Sequence, residues 1–367
     1  MRVVISAGGT GGHIYPAIAI INKIKEHEPN SDFLYIGTTN RMEKDIIPQM
    51  GIKYVGIEMG GLKRKLTWDN FKILKKFFDA RKKCLQIIKE FDPDIVIGVG
   101  GYVTAPVIWA GHKLGKKTFI HEQNSVVGLS NRYLSGIVDK VGVSFESTIK
   151  CFPKNKAILT GNPCSEKALN MKKADKKDYG LSNDKKLVLI VMGSLGSTSI
   201  NNKILSFIND FKDKDYEVMF VTGKDNYDRM SKCVVANNIK IVPYINDMPS
   251  LMKTTDLMIT RAGASTISEI TALGVPSIFI PSPYVSNNHQ YKNAMDLVNR
   301  GAGLLLEEDK LNSLNLISLI DNVMNDQKKY KDIKTKVKEI GIKDSGERIY
   351  NILKELIKND KRFYWKE

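Results

Sequence analysis

The chain has 367 residues, 42% of them hydrophobic, and 56 Lys and Arg against 40 Asp and Glu, a net charge of +16. That length predicts two domains with a core each, and the charge points to an anionic partner: nucleic acid, anionic lipid or a phosphorylated substrate. Cys84, Cys151, Cys164 and Cys233 lie far apart with no CxxC pair, which argues against a disulfide framework and a zinc site and predicts reduced thiols in the cytoplasm.

Residues 3–6 read as a short buried strand. The turn Gly8-Gly9-Thr10-Gly11-Gly12-His13 follows and breaks the apolar run, so a signal peptide is not expected. The uncharged run at 95–112 is punctuated by Gly98, Gly100, Gly101 and Pro106, so it reads as strand, loop and helix, and no segment reads as a membrane span. The turn is neither GxGxxG, because Ile14 holds the third glycine position, nor a P-loop, because no GK[ST] follows. A helix with Pro16 in its first turn comes next, apolar at Ala17, Ile20, Ile21 and Ile24. His13 closes the turn. It either bonds the local backbone or serves as a general base.

Strands are predicted at 33–36, 54–57, 95–99, 118–121, 141–144 and 157–159, most of them separated by helices, which gives a doubly wound parallel sheet. Gly8 to His13, Gly100-Gly101-Tyr102 and His121-Glu122-Gln123-Asn124 fall at carboxyl ends of strands, where such sheets bind ligands. Asn124 either touches a sugar or caps its loop.

Residues 61–89 carry ten Lys and Arg against two Asp, a net +8. Helical spacing gives two apolar stripes. One holds Phe71, Leu74, Phe78, Leu85 and Ile88, the other Leu66, Ile73, Phe77, Ala80, Cys84 and Ile87. One stripe packs on the sheet. The other, flanked by lysines, is expected on an anionic membrane, with Trp68, Ile73, Phe77, Lys72, Lys76 and Lys83 as contacts. A helix buried on both sides under a loop is the competing reading. No nucleic-acid motif appears, and none is expected as a partner.

Near Gly161-Asn162-Pro163 the pattern resets, and residues 172–178 read as a charged linker. The domains are expected at 1–163 and 164–345, with 346–367 a helix returning to the first. A strand at 187–192, the turn Gly193-Ser194-Leu195-Gly196-Ser197 and a helix from Ile200 repeat the first 25 residues. Strands at 218–222, 239–242, 257–259, 277–280 and 303–306 complete a second α/β domain.

The stretch Thr260-Arg261-Ala262-Gly263-Ala264-Ser265-Thr266-Ile267-Ser268-Glu269 joins the 257–259 strand to a helix ending at Gly274-Val275-Pro276. Strand, small-residue turn and helix start aim backbone N–H groups and the helix dipole at one point, which suits a phosphate or pyrophosphate. Glu269, one turn in, suits two vicinal sugar hydroxyls. The competing reading is a capping box of Thr266 and Glu269. The polar loop 281–290, with Asn287, Asn288, His289 and Gln290, reads either as a holder of sugar hydroxyls or as plain surface.

Together these motifs resemble the bacterial peptidoglycan N-acetylglucosaminyltransferases: Gly8-Gly-Thr-Gly-Gly-His13-Ile-Tyr-Pro16, His121-Glu-Gln-Asn124, Gly161-Asn-Pro163, Gly193-Ser-Leu-Gly196, Thr260-Arg-Ala-Gly-Ala with Ser268-Glu269, and His289-Gln290-Tyr-Lys-Asn-Ala294, in the family's order over nearly the whole chain. The resemblance implies a GT-B fold of two Rossmann-like domains facing a cleft. It implies inverting transfer of GlcNAc from UDP-GlcNAc to the C4 hydroxyl of polyprenyl-diphosphate-linked MurNAc-pentapeptide (lipid I), forming lipid II. It implies no cofactor and no metal.

Carried over by position, Thr10, Gly11, Gly12 and Asn124 contact the donor sugar or the acceptor. Ser194, Ile245 (through its backbone, to uracil), Ala264, Ser265, Thr266, Ile267, Ser268, Glu269 and Gln290 hold UDP-GlcNAc, with Glu269 on the ribose. The backbone of Gly196 and Ser197 and the helix start at Ala264, Ser265 and Thr266 stabilise the leaving UDP, and His13 is the base. Ser165 stands where the family often has an arginine, and Lys167 is the replacement to consider. The expected partners are UDP-GlcNAc, lipid I, an anionic inner-leaflet surface at the cytoplasmic face, and cell-wall and division proteins. Competing readings are another UDP-sugar enzyme of this fold (a glycolipid glycosyltransferase or a UDP-GlcNAc 2-epimerase) and a non-catalytic membrane-surface sensor.

Overall fold

The computed structural model describes residues 1–60, 68–193 and 196–359, with the side chains of 68–74 excepted. The chain divides into two compact units, Met1–Cys164 with Asp344–Glu367, and Ser165–Lys343.

The first unit runs β1 (Arg2–Ser6), α1 (Gly11–His27), β2 (Asp32–Thr38), α2 (Glu43–Gln49), β3 (Lys53–Ile57), α3 (Trp68–Phe91), β4 (Ile95–Gly98), α4 (Thr104–Lys113), β5 (Lys117–Glu122), α5 (Leu129–Leu134), β6 (Lys140–Val143) and β7 (Ala157–Leu159). Its seven strands are parallel in the order β3-β2-β1-β4-β5-β6-β7. The order reverses direction between β1 and β4, so the turns that leave these two strands lie side by side. The strands are apolar on both faces because helices cover both. Val3 and Ile5 point to one core with Ile20, Ile21 and Ile24 of α1, while Val4 and Val96 point to the other with Ala80, Cys84 and Ile88 of α3.

The chain continues through α6 (Cys164–Asn170), β8 (Lys186–Val191), α7 (Thr198–Ser206), β9 (Tyr216–Val221), α8 (Lys224–Met230), β10 (Ile239–Val242), α9 (Met248–Met252), β11 (Leu257–Thr260), α10 (Ala264–Leu273), β12 (Ser277–Phe279), α11 (His289–Val298), β13 (Leu304–Leu305), α12 (Ser313–Met324) and α13 (Gln327–Ile340). The second sheet is parallel, ordered β10-β9-β8-β11-β12-β13. Every predicted strand is present, and the architecture is the expected doubly wound pair.

The last helix, α14 (Ser345–Lys358), belongs to the first unit. Ile349, Tyr350 and Leu353 enter the core that holds α1. Tyr350 stacks on His27 with ring centroids 4.1 Å apart and donates to Glu28 Oε1 at 3.0 Å.

Two readings need correction. Residues 172–178 are not a loose linker: the Ala174 N–H donates to Ser250 O at 3.1 Å, and Lys176 Nζ to Lys185 O at 2.6 Å. The stripe on α3 is also mixed. Ala80, Cys84 and Ile88 are buried and Phe77 is half-buried against the core, whereas its neighbour Phe78 is 56% exposed. Phe77 therefore gives part of its surface to the core. Small Ala80 and Cys84 let α3 close on the sheet.

Candidate functional site

In the first unit, the chain turns sharply after β1. Gly9 has φ +95°, in the left-handed region that glycine tolerates. The turn that leaves β4 sits directly against it. The Gly8 N–H donates to Gly100 O at 3.2 Å, and a Cβ on Gly101 would lie 2.4 Å from Gly8 O. Only two glycine-rich turns can approach this closely. Helix α1 then starts at Gly11 from an extended Thr10 whose side chain makes no cap. Thr10 O accepts from the His13 and Ile14 N–H groups, leaving those of Gly11 and Gly12 outside the helix's own pairing. Thr10 and Gly12 are exposed.

The His13 ring lies against Gly100, where a Cβ would come within 2.6 Å of its Cδ2. Its Nδ1 is 3.1 Å from Gly8 O. With Nδ1–H donating to that carbonyl, Nε2 is the acceptor of the neutral imidazole, the tautomer a base requires. The backbone-bonding reading of His13 is thus met, and that bond is compatible with a base at Nε2.

Beneath the turn lies Glu43, which the sequence did not single out. It is fully buried at the start of α2, accepting from Thr38 Oγ1 at 2.6 Å and Thr38 N–H at 3.1 Å, with Gly9 N 3.5 Å away. The Thr-x4-Glu spacing across a strand end was its only signal.

The 121–124 stretch divides by role. His121 is buried, with Nε2 2.9 Å from Gly161 O, and burial pushes its pKa down to about 4. Gln123 donates to Val99 O at 2.9 Å. Glu122 accepts from the N–H groups of Asn124 and Gly128, at 3.1 and 2.9 Å, and from Asn131 Nδ2 at 2.9 Å. These three hold the loop, and Asn124 is the half-buried member at its surface.

In the second unit, β8 and β11 are adjacent and parallel, so α7 and α10 begin next to each other. Gly193 and Gly196 have φ +85° and +77°, and a Cβ on Gly196 would lie 2.2 Å from Thr222 O. Ser194 and Leu195 lie outside the described residues. Ser197 is the N-cap of α7. Helix α10 starts at Ala264 from an extended Gly263. Thr266 and Glu269 are therefore inside the helix, and the capping box does not form. The Ile267 N–H donates to Gly263 O at 2.9 Å. The helix's unpaired donors are thus the N–H groups of Ala264, Ser265 and Thr266, and the N–H of Ile267, whose side chain is 3% exposed, is not one of them. The Ser265 hydroxyl is buried without a hydrogen-bond partner among the described residues. Ser268 Oγ donates to Ser265 O at 2.6 Å.

Glu269 makes no hydrogen bond among the described residues. Burial raises its pKa from 4.5 to about 7, and the nearby Lys167 opposes the rise. A half-buried carboxyl left without a donor suits a ligand's hydroxyls. Ser165 is 1% exposed and donates to Ile342 O at 3.1 Å. It is an interior contact, and Lys167 is a cation that acts on the Glu269 carboxyl. The Ile245 side chain is buried, at 5% exposed. Gln290 Oε1 accepts from the Ser282 N–H at 2.8 Å.

Arg261 and Glu308 tie these turns together. Arg261 Nη1 is 2.8 Å from Glu308 Oε2 and donates to Ile280 O at 3.0 Å, while Nη2 donates to Ser197 Oγ at 3.1 Å. Both side chains are at most 10% exposed.

On α3, Lys76 pairs with Glu58, and Lys83 Nζ donates to Gly56 O at 3.1 Å. The side chains of Trp68, Lys72 and Ile73 lie outside the described residues. No described helix is long and apolar enough to cross a membrane.

Residues 3–143 match the glycosyltransferase family 28 N-terminal domain, and residues 187–349 match its C-terminal domain. A Bacillus licheniformis protein named UDP-N-acetylglucosamine--N-acetylmuramyl-(pentapeptide) pyrophosphoryl-undecaprenol N-acetylglucosamine transferase is 45% identical over 97% of this chain and 99% of its own length. A Bacillus cereus protein of the same name, numbered 1, is 44% identical over 98% of this chain and 100% of its own. The crystal structure of Acinetobacter baumannii MurG superposes with a TM-score of 0.80 at 24% identity, covering 96% of this chain and 99% of that one. Matched along both halves and over nearly its full length, the chain belongs to glycosyltransferase family 28.

Proposed function

We propose that the protein transfers GlcNAc from UDP-GlcNAc to the C4 hydroxyl of MurNAc-pentapeptide-diphosphoundecaprenol, with inversion and without a metal. One observation supports this above the others: N–H donors at the start of α10, outside the helix's own pairing, stand one turn from a carboxyl that has no hydrogen-bond partner among the described residues. That arrangement fits a sugar nucleotide, with diphosphate on the helix start and ribose hydroxyls on Glu269. The relatives' shared name, at 44–45% identity over almost the whole chain, favours a transferase over an epimerase or a sensor.

The residues divide the chemistry. Ala264, Ser265 and Thr266 N–H groups, with the Gly196–Ser197 turn, take the charge that develops on the leaving UDP. Gln290 holds donor sugar hydroxyls and the Ile245 backbone holds uracil. On the first unit, Thr10, Gly11, Gly12 and Asn124 position the reacting hydroxyl, and His13 Nε2 takes its proton as the new glycosidic bond forms and the bond from the anomeric carbon to the diphosphate breaks.

The acceptor's lipid brings the enzyme to an anionic surface at the cytoplasmic face, as a peripheral protein. Exposed Lys75, Lys82 and Phe78 on α3 fit that role. Mass spectrometry of a soluble lipid I analogue after incubation with UDP-GlcNAc tests the reading. The acceptor is expected to gain one N-acetylhexosamine. Transfer to diacylglycerol instead, or appearance of UDP-ManNAc, would replace it with a glycolipid transferase or an epimerase.

A further inference from the structure

We infer that Arg261 is a positioning residue for the donor diphosphate, acting through Ser197 and Glu308 rather than by touching substrate. The inference rests on the donor site proposed above. Two turns must converge on one diphosphate, one after β8 and one after β11. Each is rich in small residues, with Gly193, Gly196 and Ser197 in the first and Ala262 and Gly263 in the second. Arg261 supplies the connection. It lies two residues before Gly263, and its guanidinium reaches back across the sheet's carboxyl edge. Nη2 donates to Ser197 Oγ at 3.1 Å, at the N-cap of α7, and Nη1 donates to Ile280 O at 3.0 Å, just past β12. One planar fork thus sets the spacing of three loops, which a lysine's single ammonium cannot reproduce.

Glu308 fixes the fork from the far side. Its Oε2 is 2.8 Å from Arg261 Nη1, its Oε1 accepts from Ser199 Oγ at 2.9 Å, and its main-chain carbonyl accepts from Lys203 Nζ at 2.8 Å. Ser199 and Lys203 both belong to α7. Arg261 and Glu308 therefore grip α7 at its cap, its first turn and its second. With three of its five N–H groups turned to Ile280, Ser197 and Glu308 and its side chain only 10% exposed, the guanidinium serves to hold the α7 start against the α10 start. The diphosphate meets the backbone N–H groups that this grip aligns.

The test separates alignment from general folding by comparing two ligands of the same pocket. UDP carries the diphosphate and uridine does not. The affinities of wild type, Arg261→Lys and Ser197→Ala are measured by calorimetry for UDP and by ligand-observed NMR for uridine, with melting temperature as a control. Arg261→Lys is expected to weaken UDP by roughly tenfold or more and Ser197→Ala by about threefold, with uridine affinity unchanged in both. Equal loss for UDP and uridine would make Arg261 a general structural residue, and unchanged UDP affinity would remove its role. Should Arg261→Lys fail to fold, Ser197→Ala alone decides by the same comparison. A wild type that binds neither ligand would refute the donor site itself, an outcome distinct from failure of the positioning role.

Discussion

Replacing Glu269 with Gln should stabilise the protein while crippling it. The side chain is half-buried, and burial pushes its pKa from 4.5 to about 7. Because the folded pKa lies above the unfolded one, the folded state holds its proton longer. The cost of ionising the buried group therefore accrues as pH rises from about 4.5 to 7 and is complete above that. Carrying the group across that interval corresponds to about 3 kcal/mol at ~1.4 kcal/mol per pH unit. Solvent reaches part of the side chain, which brings the expected gain to about 2 kcal/mol. Glu269→Gln should then melt roughly 4–8 °C above wild type at pH 8, a difference that vanishes near pH 4.5. Over the same range wild-type affinity for UDP-GlcNAc should rise with pH through about 7, as the carboxylate becomes available to the ribose hydroxyls. The variant should lose that dependence and bind about 10–100-fold more weakly at pH 8, the worth of one or two hydrogen bonds to a charged acceptor. Differential scanning fluorimetry and calorimetry across pH 4.5–8.5 read both halves. A variant less stable than wild type at pH 8, or one that binds the donor normally, would refute the reasoning.

His13→Ala should lower turnover by about 100-fold or more with donor affinity intact, read by steady-state rates beside calorimetry, as expected for loss of a general base. Gly196→Ala places a Cβ 2.2 Å from Thr222 O at φ +77°, so it should cost at least about 2 kcal/mol in chemical denaturation and abolish donor binding. His121 is held neutral with a pKa near 4. Because its folded pKa lies below the unfolded one, stability present above pH 6.5 should fall by up to about 3 kcal/mol as pH drops to 4, and His121→Asn should flatten that slope in urea titrations. Lys167→Met removes the cation that opposes the rise of the Glu269 pKa, so the pH dependence of donor binding should move upward.

The fold was readable because both sheets are parallel and covered on both faces. Many strands then appear as apolar runs rich in β-branched residues, such as 95–97 or 187–191, and neighbouring turn residues mark their ends. Local ambiguity defeated the reading elsewhere. Thr266 and Glu269 have capping-box spacing, but the chain is already helical from Ala264 because Gly263 takes the cap. The lysines at 172–178 read as solvated, yet Lys176 is 9% exposed with its ammonium on Lys185 O; composition does not show which lysines cap carbonyls. On α3, two stripes fit the helical period equally well, and only the tertiary contacts show that Ala80, Cys84 and Ile88 face the core. In the candidate site, the glycine turns and Glu269 were visible as motifs. The groups that hold them were not, because Glu308 meets Ser199 across 109 positions of sequence and Glu43 is brought under the Gly8–Gly9 turn only by strand order.

Release of UDP from UDP-GlcNAc, followed in EDTA with and without a soluble lipid I analogue, tests the proposed transfer most directly. Release that requires the acceptor and survives EDTA is the predicted result. Tight UDP-GlcNAc binding with no acceptor-dependent release would contradict it, leaving a nucleotide-sugar site without the proposed chemistry.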